Sequence, residues 1–75
     1  MPPRVTQYVE QEAATAGTKP FIIMSRDRTP KVAHARWRVM RRLRDDGFTL
    51  AQIGQWLNRD HTAVIYGLRN LQCTK

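Results

Sequence analysis

Two helix-start signals placed close together constrain this chain more than any other feature. Thr49 is followed by Gln52 in the T-x-x-Q spacing of a capping box, in which each residue's side chain satisfies the other's backbone N–H. Phe48 precedes the cap and Ile53 stands where the partner of a hydrophobic staple belongs. The second signal is Asp60, a residue type that caps helix N-termini. Between them fits only a short helix, Leu50 to Leu57, with Leu50, Ile53, Trp56 and Leu57 apolar. A tight turn at Asn58-Arg59 follows, and Asn tolerates the left-handed backbone such a turn needs. The last helix is predicted from His61 to about Leu71. Val64, Ile65, Leu68 and Leu71 form its buried stripe, which leaves Thr62, Ala63, Tyr66, Arg69 and Asn70 outside.

The preceding residues supply the rest of a small core. Val5, Tyr8, Val9, Ala13 and Ala16 recur at helical spacing, so Val5 to Ala16 reads as a helix closed by Gly17. Pro20 to Met24 reads as one helical turn that plugs the core. Ser25 to Pro30 reads as a loop carrying Arg26 and Arg28, with no apolar residue to anchor it. A helix from Pro30 to Asp46 follows, with Val32, Ala35, Val39, Met40 and Leu43 buried and Trp37 at the edge of the stripe. Arg38, Arg41, Arg42 and Arg44 cover its other side, and Gly47 ends it. No stretch alternates as a strand does. The expected fold is an all-α single domain over residues 1–75, with a core from about 5 to 71.

The 75 residues allow one modest core and not two. The longest apolar run, Phe21 to Met24, falls far short of the ~20 residues of a membrane span. The N-terminus has no apolar signal segment, so a cytoplasmic location is expected. Cys73 is the single cysteine, and with His34 and His61 it makes no zinc-site spacing, so neither a metal nor any other cofactor is expected. Thirteen Lys and Arg against six Asp and Glu give a net charge of +7. Eight of the thirteen fall between Arg26 and Arg44, a basic stripe of the kind a nucleic-acid binder carries. A solvated helix face gives the same pattern.

Two short helices joined by a tight turn are the helix-turn-helix arrangement, in which the start of the second helix meets base edges in the major groove. Asp60, His61, Thr62 and Ala63 occupy that start. Asp can accept from a cytosine amino group, His can donate to a purine N7 or a carbonyl oxygen, and Thr or Ala can meet the thymine methyl. Asp60, His61 and Tyr66 have plainer readings, whereas Thr62 lies on the exposed side with no packing role. Asp60 can be only a cap, and His61 only a shield for the helix end. Tyr66 can touch a phosphate or simply sit at the surface.

The run Ile53-Gly54-Gln55-Trp56-Leu57-Asn58-Arg59-Asp60-His61-Thr62-Ala63-Val64-Ile65 resembles the signature of the C-terminal DNA-binding domain (domain IV) of the bacterial replication initiator DnaA, a Trp-repressor-like helix-turn-helix fold. Ala35-Arg36 with Met40, and the order of helix, apolar plug and arginine-bearing loop, extend the resemblance over about Val5 to Leu71. It implies that Asp60, His61 and Thr62 read bases, that Arg36 enters the adjacent minor groove, and that Arg26 and Arg28 grip the backbone there. It further implies phosphate contacts from Arg59, Gln52 and Arg69. Ala63 stands where the family has a second Thr, Ala51 where it has Pro, and Tyr66 where it has His, which leaves the target sequence open.

No phosphate-binding GxxxxGK[ST] occurs, and no nucleophile–base pair is suggested. Asp45 and Asp46 are adjacent and so diverge. An enzyme is not expected, nor a small-molecule substrate or a membrane partner. The expectation is a reading head alone, either a small protein such as a phage or mobile element encodes or a domain excised from a larger one. It would bind double-stranded DNA at the nucleoid and regulate transcription or replication. The alternative is a module that binds a host replication or transcription protein through the outer face of Val5–Ala16.

Overall fold

Proline opens the first three helices. α1 (Pro3–Ala16), α2 (Pro20–Ile23) and α3 (Pro30–Asp45) each begin at a proline, whose fixed φ and missing N–H suit a first helical turn. α4 (Leu50–Trp56) begins instead at the Thr49–Gln52 capping box, with both reciprocal hydrogen bonds formed. α5 spans His61–Cys73. This computed structural model describes residues 1–73, and the side chains of Gln72 and Cys73 lie outside the described residues. The domain is all-α, with no strand among the described residues. Element ends differ from the sequence expectation by a residue or two, which is ordinary fraying.

α3 is the central element and touches each of the other four helices. α1 and α2 also meet each other, as do α4 and α5, so α3 joins two helix pairs. The buried stripe expected on α3 is the one observed: Val32, Ala35, Val39, Met40 and Leu43 are all buried. Val5, Val9 and Ala13 enter the core from α1, Ile23 from α2, Ile53 and Leu57 from the α4 segment, and Val64 from α5. Ile65, Leu68 and Leu71 are only half-buried, so α5 buries a narrower stripe than expected. Phe48 packs edge-on against Trp56 at 4.9 Å between ring centres, covering the start of α4.

Two glycines set how closely the helices approach. A β-carbon on Gly67 would overlap the Trp37 indole and lie 3.0 Å from the Met40 sulfur, so α5 reaches α3 only because that position is bare. A β-carbon on Gly54 would lie 2.5 Å from the Arg59 carbonyl oxygen. The turn leaving α4 therefore folds back directly over α4 itself.

Candidate nucleic-acid interface

The α4–α5 turn is built by local chemistry. Asn58 adopts the left-handed conformation at φ 56°, as its residue type allows. The Arg59 N–H then donates to the Gly54 carbonyl at 2.7 Å. The Asp60 carbonyl accepts the Val64 N–H at 3.2 Å, which puts Asp60 at the helix entry. Its carboxylate differs from the capping expectation. It takes no hydrogen bond from any described residue, and it remains exposed. His61 and Thr62, next along, are exposed as well.

The Ser25–Thr29 loop is held by polar contacts instead of apolar ones. The Ser25 hydroxyl donates to the Ile22 carbonyl at 2.6 Å, and the Asp27 N–H donates to the Ser25 hydroxyl at 3.2 Å. The Thr29 N–H donates to the Asp27 carboxylate at 2.7 Å. Hydrogen bonding by Thr29 holds that carboxyl below its usual range, and the Arg36 charge adds to the effect against partial burial.

Arg36 corrects the sequence expectation. Only 6% of it is exposed, and its guanidinium faces inward. Nε donates to the Ile23 carbonyl at 2.8 Å, and Nη2 donates to the carbonyls of Ser25 and Asp27 at 2.9 and 3.0 Å. A guanidinium buried against three carbonyls cannot also enter a DNA groove without releasing all three. From the other side, Arg59 Nη2 donates to the same Ser25 carbonyl, and Nη1 to the Asn58 carbonyl at 3.2 Å. Burial lowers the pKa of both guanidiniums. Arg59 lowers that of Arg36 further, and Arg26 that of Arg59.

These ties bring the loop beside the turn. Arg26, Arg28, Gln55, Asn58, Arg59, Asp60 and Ala63 line one open cleft of about 580 Å³, with Arg36 and Gly54 at its base. Arg26 and Arg28 are exposed, and no carboxylate pairs with either of them, or with Arg59, among the described residues.

The arginines of α3 differ, because each has a partner within the domain. Arg38 and Arg42 both pair with Glu12 of α1, at 2.7 and 3.4 Å, and Arg41 pairs with Asp45 at 3.3 Å. Arg42 also stacks over the Tyr8 ring at 4.0 Å. Arg44 donates to the Phe48 carbonyl at 2.9 Å. Positive charge is therefore available at the cleft, and the α3 stripe is offset in part by Glu12 of α1 and by Asp45.

The remaining expected residues, His61 and Thr62 among them, lie outside the cleft lining. Gln52 closes the capping box, accepting from the Thr49 N–H at 2.9 Å. Tyr66 is exposed and meets the Trp37 ring edge-on at 6.2 Å. Arg69 is exposed on α5. Gln55 and Asn58 line the cleft and were not expected there. Asn58 is marked in the sequence as the turn residue, whereas nothing local marks Gln55.

The chain matches no protein-family model, no curated protein and no solved structure. No helix among the described residues is long and apolar enough to cross a membrane.

Proposed function

We propose that this domain binds double-stranded DNA selectively, using α4, the turn and α5 as a helix-turn-helix, and that it regulates transcription or replication. One observation carries the reading: the exposed arginines Arg26 and Arg28, which no carboxylate pairs among the described residues, lie beside the exposed helix entry at Asp60-His61-Thr62. Unpaired guanidiniums attract phosphate and release counterions, which supplies affinity without sequence preference. An exposed acceptor, a ring donor and a hydroxyl at a helix start supply what base edges can distinguish. The Asp60 carboxylate has a natural role only in this division of labour, since near phosphates it lowers affinity unless it accepts from a base.

With Arg36 occupied internally, Arg26 and Arg28 are the residues available to a backbone or minor groove. Gln52, Tyr66 and Arg69 are candidates for flanking phosphates. The likeness of Ile53–Ile65 to the reading segment of the DnaA initiator agrees with this function, and a nucleoid location in the cytoplasm follows from it.

The test is duplex binding as a function of salt. If ~6 phosphates are contacted, raising salt from ~50 to ~200 mM costs about three orders of magnitude in affinity. Arg26→Ala with Arg28→Ala makes that dependence shallower. A flat response would contradict the proposal.

A second reading is favoured by a separate feature, an apolar groove of about 380 Å³ lined by Met1, Val5, Val9, Pro20, Phe21 and Met24. A module that binds a host replication or transcription protein would use it. Such binding would survive Arg26→Ala and His61→Ala and fail in Phe21→Asp.

A further inference from the structure

We infer that Arg36 is the positioning residue of this interface: it does not touch DNA, and it sets where Arg26 and Arg28 stand relative to the entry of α5. The inference rests on the DNA-binding reading above. The loop's own hydrogen bonds, from Ser25 to Ile22, Asp27 to Ser25 and Thr29 to Asp27, are local and shape it without placing it. The side chains of Arg26, Arg28 and Thr29 are exposed and give no apolar anchor. Among the described residues, the hydrogen bonds that tie the backbone of 25–28 to α3 and to the α4–α5 turn come from Arg36 and Arg59.

Arg36 is suited to this by chemistry. A guanidinium is a planar fork of fixed donors and can hold several carbonyls at once, whereas an ammonium is a point charge on a flexible stem. The fork spans the end of α2, Ser25 and Asp27, and so fixes the carbonyls on both sides of Arg26. Arg59 shares the Ser25 carbonyl, which joins the loop to the turn that opens α5. The two arginines expected to meet the backbone are thus held in register with the residues expected to meet bases.

This predicts that removing the Arg36 fork mimics removal of the loop arginines. The test measures affinity for one labelled duplex, at several salt concentrations, in the full chain. The variants are Arg26→Ala/Arg28→Ala, Arg36→Met, all three substitutions together, and Arg36→Lys. The expected losses are about tenfold for Arg26→Ala/Arg28→Ala and for Arg36→Met alike, with the salt slope lowered by about two in each, near one per lost phosphate contact. The triple variant is then no weaker than either, and Arg36→Lys falls with Arg36→Met. Losses that multiply to about a hundredfold, or a salt slope unchanged in Arg36→Met, would overturn the inference, since a merely structural arginine leaves the contribution of Arg26 and Arg28 intact.

Arg59→Met removes one tie only and gives a smaller loss in the same direction, should Arg36→Met fail to fold; full affinity in Arg59→Met together with wild-type behaviour in Arg36→Lys would count against the clamp. Wild-type protein with no salt-dependent affinity would overturn the DNA reading instead. Amide exchange then decides the clamp by itself: it is upheld if Asp27 and Thr29 exchange faster in Arg36→Lys while α1 is unaffected, and overturned if they do not.

Discussion

Gly54 and Arg59 are joined twice across the α4–α5 turn. The Gly54 carbonyl accepts the Arg59 N–H at 2.7 Å, and the Arg59 carbonyl lies where a β-carbon on Gly54 would have to go. The obstacle is backbone and cannot swing aside. Alanine would gain up to about 1 kcal/mol in helix propensity. Forcing an atom into a closed contact costs about 1–3 kcal/mol. Gly54→Ala is therefore expected to lower stability by about 1–2 kcal/mol net. It should also displace the entry of α5 and weaken DNA binding. Thermal unfolding with a duplex titration checks this, and a variant as stable as wild type would contradict the packed turn.

Glu12 pairs with two arginines, Arg38 and Arg42, that the sequence alone assigns to a basic stripe. Glu12→Gln frees Arg38 and Arg42, and the loss of these partly exposed pairs should cost about 1 kcal/mol. Affinity for all duplexes should stay level or rise slightly, with discrimination between sequences unchanged. Competition binding measures both. A fall in discrimination would place α3 at the reading surface, against the account.

The contrast between those arginines shows what the sequence holds. The capping box, the left-handed Asn58 and the buried face of α3 are legible because each depends on residues within a turn or two of one another. The occupation of Arg36 is not, because its carbonyl partners lie 13, 11 and 9 positions away in a segment without periodicity. Nor is the pairing of Arg38 and Arg42 with Glu12, across 26 and 30 positions. Charge can be counted in a sequence, but its neutralisation depends on tertiary contacts. The helix entry at Asp60 was legible, whereas the cleft beside it required the Arg59–Ser25 contact across 34 positions.

Strong acid should loosen the Ser25–Thr29 loop. The Asp27 carboxyl is held below its ordinary value of 3.8, chiefly by hydrogen bonding from Thr29. A depressed carboxylate contributes stability that is complete above pH 3.8 and is lost as pH falls through the lower folded value. Asp27→Asn should remove that part of the acid response. An NMR titration of the Asp27 carboxyl and the Thr29 amide measures it, and an Asp27 midpoint at or above 3.8 would contradict the contact.

His61 stands exposed at the entry of α5, and the base reading proposed for it differs from the phosphate contact proposed for the loop arginines. His61→Ala should reduce the preference for the best duplex over a scrambled one by about 1–3 kcal/mol while leaving scrambled-duplex affinity nearly unchanged. Arg28→Ala should lower both alike. Equal losses from His61→Ala on the two duplexes would count against base reading.

Selection of bound sequences from a random duplex pool, followed by titration of the winner against its scramble at physiological salt, decides whether this domain reads sequence. A domain that reads sequence yields a defined motif bound at least about a thousandfold more tightly than the scramble. Its enrichment should be lost in a variant combining His61→Ala with Thr62→Ala. A pool that emerges without a motif, with every duplex bound alike or none bound, would contradict sequence reading by this domain.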